Sequence, residues 1–128
     1  MNAYEFQANK FCRDNNVIIT PVFTGHKRHF NTDTQSRDTY AVTILRGNAA
    51  MTINFGQSIA NKGKKPSKYD ILACLTKSDP GSFEDFCSGF GYDADSRNAY
   101  ATYEAVCKEW EGVKDVFSGI LEQLQEIN

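Results

Sequence analysis

No run of 18 or more apolar residues interrupts this 128-residue chain, so no segment is long and greasy enough to cross a bilayer as a helix. The first residues, Met1-Asn2-Ala3-Tyr4-Glu5, also lack the basic and apolar regions of a secretory signal, and the expectation is a cytoplasmic protein with no membrane partner. Missing too are the short patterns that announce common chemistries. There is no G-x-S-x-G elbow, no H-E-x-x-H, no Walker sequence and no C-x-x-C pair. The G-K-K at Gly63 to Lys65 lacks the upstream glycine and the following Ser or Thr of a phosphate loop. D-A-D-S at Asp93 to Ser96 lacks the five ligands and terminal Glu of a calcium loop. The only histidines, His26 and His29, share a stretch with Lys27 and Arg28, whose charge disfavours a metal ion. No metal, no cofactor and no catalytic residue is therefore assigned, and Asp70, Glu84 and Asp85 read as helix-start acids.

What the chain does have is a stripe. Ala99, Tyr103, Val106, Trp110, Val113, Phe117, Ile120, Leu124 and Ile127 recur at alternating gaps of four and three, with Glu104, Lys108, Glu111, Asp115, Glu122 and Glu126 opposite. This predicts one amphipathic helix about 40 Å long at 1.5 Å per residue. Its seam needs a surface to cover. The heptad-like spacing permits a homodimer through this helix, but Gly112, Gly119 and a neighbouring sheet favour packing within the chain, and a monomer is the expectation.

That sheet is legible upstream. With Gly47-Asn48 as a two-residue turn, Ile44 faces Met51, Val42 faces Ile53 and Tyr40 faces Phe55, while Thr43 and Thr52 pair on the other side. One apolar and one polar face imply an antiparallel sheet covered on one side, with Trp110 and Phe117 filling the layer. Val17 to Thr24 is dense in β-branched residues and reads as a further strand. Pro21 confines it to an edge or a bulge.

Around these lie shorter elements. Residues 3 to 14 predict a helix ending near Asn15-Asn16. Gly25 to Asp38 reads as a long, mobile, basic loop, either a contact surface or a solvated connector. Gly56 to Lys65 reads as a polar linker ending in Lys62, Lys64, Lys65 and Lys68. A helix follows, with Pro66 in its first turn, Ser67 and Asp70 as an imperfect capping box, and an end near Lys77. A third carries Phe83, Phe86, Cys87 and Phe90 from an Asp79 cap with Pro80 in its first turn, and stops at Gly91. Asp93, Asp95 and Ser96 then offer caps for the long helix. The four cysteines, Cys12, Cys74, Cys87 and Cys107, all fall in these helices, where free thiols act as small buried hydrophobes.

The predicted architecture is thus α+β: a short antiparallel three-stranded sheet covered on one face by helices, with a long C-terminal amphipathic helix. A single domain, 1–128, would comprise an N-terminal helix and β-meander over 1–56 and a helical part over 66–128.

Charge divides along the same line. Residues 1–68 hold ten Lys and Arg against four acids, net +6, and residues 69–128 hold four against twelve, net −8. Either the halves attract as they pack, or both are simply solvated faces, or the surface is bipolar and meets charged partners. If the acidic side is the contact surface, Asp93, Asp95, Glu104, Glu111 and Asp115 are the candidate residues for a basic, nucleic-acid-binding partner. If the basic side is, His26, Lys27, Arg28, His29, Lys62, Lys64 and Lys65 are the candidates for direct nucleic-acid binding, against which an overall pI near 5.6 argues.

The segments Lys65-Pro66-Ser67-Lys68-Tyr69-Asp70-Ile71-Leu72-Ala73-Cys74-Leu75-Thr76-Lys77, Asp79 to Cys87 and Gly91 to Arg97 carry a likeness, extended by Thr102-Tyr103 and Val106 to Trp110. Over about residues 40 to 118 the chain resembles a family of small bacteriophage- and prophage-encoded proteins of unassigned function. The resemblance implies no catalytic motif. It implies a phage accessory protein in a bacterial host cell that binds a host protein or protein–nucleic acid complex, with anti-CRISPR and anti-restriction inhibitors prominent among such proteins.

Overall fold

The computed structural model describes residues 2–27, 37–58, 65–90 and 97–127. Its elements run α1 (Ala3–Asp14), β1 (Val17–Lys27), β2 (Arg37–Arg46), β3 (Ala49–Ser58), α2 (Lys68–Thr76), α3 (Phe83–Phe90), α4 (Arg97–Val116) and α5 (Leu121–Gln125). The three strands form an antiparallel meander in the order β1-β2-β3, and the fold is α+β.

The β2–β3 hairpin has the register that alternation predicts. Tyr40, Val42 and Ile44 pair with Phe55, Ile53 and Met51, Thr43 pairs with Thr52, and the turn is made at Gly47, whose φ is +58°. Strand β1 lies at the sheet's edge, as Pro21 requires, and its register also shifts between Phe23 and Gly25.

The expected loop from Gly25 to Asp38 is shorter than the sequence suggested. Gly25, His26 and Lys27 continue β1 and pair with Thr39, Asp38 and Arg37 of β2. Polar composition does not prevent this, because ladder bonds use backbone groups alone. Two side-chain contacts support it: Thr39 Oγ1 donates to the Gly25 carbonyl at 3.0 Å, and His26 Nδ1 lies 2.7 Å from Asp38 Oδ1. Likewise Gly56, Gln57 and Ser58, expected in the linker, belong to β3.

Helix starts follow capping chemistry. Asn2 accepts from Glu5 N at 2.8 Å to begin α1, and Ser67 with Asp70 forms a complete reciprocal capping box on α2. Pro66 therefore precedes the cap, buried, rather than standing in the first turn. The third helix starts later than expected. Ser82 Oγ accepts from Asp85 N at 3.1 Å, while the Asp79 carboxylate accepts from Gly81 N at 3.0 Å and so closes a turn ahead of the helix.

The long stripe is present in a broken form. Helix α4 ends at Val116, Gly119 takes φ +83°, and α5 resumes at Leu121. A bond from Ile120 N to Phe117 O at 3.0 Å tightens the corner. The predicted single helix ends here because glycine admits the left-handed conformation that closes a helix. Beyond the break Ile120, Leu124 and Ile127 remain buried, so the seam turns without losing its core.

One apolar cluster fills the space between the sheet and the helices. Val42, Ile44 and Ile53 meet Trp110, Val113, Val116 and Phe117 of the C-terminal segment, with Phe11 and Cys12 of α1 and Ile71, Leu72 and Leu75 of α2. Phe117 stacks on Phe11 with centroids 6.2 Å apart. A second, smaller cluster joins α3 to α4 through Phe86, Cys87 and Ala99, with Phe83, Tyr103 and Val106 partly buried against it. Cys12 and Cys87 are buried as expected, Cys107 is half-buried, and Cys74 is exposed because it falls on the outer side of α2.

Candidate functional site

Glu104, Glu111 and Asp115 lie at i, i+7 and i+11 of α4, opposite the buried seam, and all three side chains are exposed. Glu109 on the same helix, Glu84 and Asp85 on α3, Asp79 before it, and Glu122 and Glu126 at the C-terminal end are exposed as well. The cations of this part of the chain with described side chains are Lys77, Lys108 and Lys114, all exposed. Lys114 Nζ is tied to Glu111 Oε1 at 2.6 Å, a bond that raises the lysine pKa. Asp93 and Asp95 lie outside the described residues.

Packing does not consume this acidic surface. Every ion pair among the described residues is local: Lys10 and Arg13 with Asp14, His26 with Asp38, Lys114 with Glu111. None joins the basic residues 1–68 to the acidic residues 69–128. Among the described residues the basic side chain that reaches across is Arg46, and it reaches carbonyls instead. Its Nη1 donates to Val116 O at 3.1 Å and Ser118 O at 2.7 Å, and its Nε to Asn15 O at 3.3 Å. A cation at the end of α4 satisfies orphan carbonyls and suits the helix dipole. Sequence reasoning counted Arg46 only as a charge, since no local pattern signals partners 70 and 72 residues away.

The basic candidates are divided. His26 stands exposed beside Asp38, the Lys27 backbone is in β1, and Lys65 is exposed ahead of α2. Arg28, His29, Lys62 and Lys64 lie outside the described residues. Register nevertheless relates their anchors. Lys27 pairs with Arg37, and Arg37 pairs with Ser58, so the basic stretches after β1 and after β3 both leave from one end of the sheet.

Concave features are shallow. A groove of about 300 Å³ between the end of β3 and α2 is lined by Phe55, Gln57, Asp70, Cys74 and Lys77. Gln57 is buried there with its Oε1 unpartnered. Asp70 already serves the capping box. Partial desolvation of the Cys74 thiol, and then the Glu109 carboxylate, raise its pKa, so it holds little thiolate at neutral pH. Among the described residues no three His, Cys, Asp or Glu side chains converge as metal ligands, and no helix is long and apolar enough to cross a membrane.

The chain matches no protein-family model, no curated protein and no solved structure.

Proposed function

We propose that this chain is a non-enzymatic binding protein, a phage accessory protein that holds a host protein or protein–nucleic acid complex through its acidic helical surface. The observation that carries the reading is the exposed row Glu104, Glu111 and Asp115 on the outer side of α4, in which Glu111 meets Lys114 of the same helix and, among the described residues, no member is paired by the basic half of the chain. A row of carboxylates held on a rigid helix is complementary to a basic, nucleic-acid-binding surface. Such a match would speed encounter and fix orientation. The phage context, and with it inhibition of the anti-CRISPR or anti-restriction kind, rests on the resemblance over about residues 40 to 118.

Affinity capture of the tagged protein from a bacterial host, with co-purifying chains and nucleic acid identified, is the experiment. A basic partner is expected, bound with an affinity that falls as salt rises. The triple variant Glu104→Lys, Glu111→Lys, Asp115→Lys should lose it, by at least about tenfold at low salt, with an unchanged melting temperature. Retention of the partner by the triple variant would refute the acidic contact.

One observation favours a second reading. Because Lys27 pairs with Arg37 and Arg37 with Ser58, β1 and β3 finish at the same end of the sheet, which would suit direct nucleic-acid binding there. In that case Lys27→Glu with Arg28→Glu should abolish a salt-sensitive shift of labelled DNA or RNA.

A further inference from the structure

The two edges of the sheet are unlike. A two-residue turn at Gly47-Asn48 makes Arg46 and Ala49 a hydrogen-bonded pair, and bonded and unbonded pairs alternate from there. Met51, Ile53, Phe55 and Gln57 therefore bond to β2, while Ala50, Thr52, Asn54 and Gly56 turn their N–H and C=O groups to the outer side of β3. By the same alternation the outward positions of β1 are Val17, Ile19, Pro21 and Phe23. Pro21 has no N–H to offer and the register shifts beyond Phe23, so the β1 edge is blunted. The β3 edge is not. Ala49–Ser58 holds no proline, no charged residue and no register shift. Ala50, Thr52, Asn54 and Gly56 are all exposed, and their outward backbone groups have no partner among the described residues.

Two grooves run beside this edge. In one, of about 340 Å³, Met51 and Thr52 face Ala105, Lys108, Glu109 and Gly112 of α4. The other, of about 300 Å³, is the groove of Phe55, Gly56 and Gln57 against α2. No residue of β2 lines either, so both open on the outer side of β3.

We propose that the outer edge of β3 docks one uncharged, extended strand of a partner protein, which adds antiparallel as the fourth strand of the sheet. Unpaired backbone groups at every second residue select an extended backbone. Charge selects its side chains. Each groove carries one cation and one acid, Lys108 with Glu109 and Lys77 with Asp70, so an ionised side chain entering either is desolvated with no net attraction to offset it. Gln57 is only 7% exposed and its Oε1 has no donor, so the strand residue beside it is one that donates, such as asparagine. Six residues further along the antiparallel strand a side chain lies beside Met51, Ala105 and Gly112, where an apolar group fits. A second copy fits less well. The two-fold axis that pairs β3 with itself keeps both core faces on one side, which brings the α2 and α4 of each copy against those of the other. A lone strand carries no such layer. None of Glu104, Glu111 and Asp115 lines either groove, so this contact is independent of the acidic surface.

The probe is an acetylated, amidated nonapeptide with threonine at odd positions, asparagine at 2, valine at 4 and 6, and leucine at 8. Titrated to about 1 mM into the isotope-labelled full chain, it should shift the amide signals of Ala50, Thr52, Asn54 and Gly56 and slow their exchange with deuterium. N-methylation at position 5, whose N–H faces Asn54, should weaken binding at least about tenfold, and N-methylation at position 4, which faces away, should not. Thr52→Pro should do the same from the protein's side with the fold intact, as Pro21 sits in β1. Gln57→Leu should remove the preference for asparagine over valine at position 2. Because no charge is engaged, binding should hold from about 50 to 500 mM salt and survive the triple reversal on α4, which separates it from the partner contact proposed above. An unbound probe, equal effects of the two N-methyl groups, or shifts that avoid β3 would overturn the proposal. A self-associating wild type whose mass falls to 14.4 kDa in Thr52→Pro would overturn the choice of occupant.

Discussion

Arg46→Ala should cost roughly 3 kcal/mol, a large fraction of what keeps a domain of this size folded. Arg46 ends β2 immediately before the hairpin turn, and its guanidinium spans three elements, reaching Asn15 O behind α1 and Val116 O and Ser118 O at the end of α4. A hydrogen bond from a charged donor contributes about 1.5–3 kcal/mol where water is excluded. Here the Ser118 contact is exposed and the Val116 contact only part-buried, so each is taken at the low end, and the 3.3 Å bond to Asn15 is given almost nothing. Two such bonds total about 3 kcal/mol, and the cation's favourable position at the helix C-terminus is included in them. Arg46→Lys keeps the charge and three donors where Nη1 alone holds both carbonyls, loses only the long Nε bond to Asn15 O, and should cost less than half as much.

Urea denaturation followed by circular dichroism gives both numbers, provided the slopes agree with the wild type. Arg13→Ala is the control. Its guanidinium is exposed and 4.0 Å from Asp14, and removing it should change stability by no more than about 0.5 kcal/mol. If Arg46→Ala is as mild as Arg13→Ala, the guanidinium does not lock the sheet to α4 and the account of that corner fails.

Val42→Asp should prevent folding, since Val42 is fully buried and an unpaired carboxylate there costs several kcal/mol, whereas Thr43→Asp on the open face should melt near the wild type; equal melting temperatures would refute the register. Gly119→Ala should destabilise by about 1 kcal/mol through the backbone alone, because φ is +83° and a Cβ would meet nothing within 4 Å, and a neutral result in thermal melts would mean that the corner relaxes.

How far the sequence could be read depends on the range over which its signals act. The β2–β3 register needs only the period of two on each strand and a turn that accepts positive φ, both contained within residues 39–55, and it is found as read. The C-terminal stripe is longer than any one local signal. A gap of three or four continues from Val113 through Phe117, Ile120 and Leu124 whether the backbone is one helix or two joined by a tight corner, so apolar spacing alone cannot register the break. Gly119 was the sign of it. At the third helix the sequence offered Asp79 as the cap; in the structure that carboxylate takes the Gly81 N–H two residues on and closes a turn, and Ser82 Oγ accepts from the Asp85 backbone N–H instead.

The site was less legible because it depends on which charges find each other. Counting +6 against −8 shows an imbalance, and that imbalance is equally consistent with two halves glued together or with a bipolar surface. Geometry speaks against the first. The acids of α4 project away from a seam that faces the sheet, and the one arginine that crosses the divide is spent on backbone carbonyls, so among the described residues no carboxylate of residues 69–128 meets a cation of residues 1–68. The open sheet face was hidden for a related reason. Val17 to Thr24 is apolar on both sides of the pleat, and its alternation says nothing about which side is covered until Ile19 is found opposite Ile44 and Ile18 opposite Leu45. Pairing then leaves Ile18 and Val22 in water on the side where Thr43 and Thr52 had suggested a polar surface.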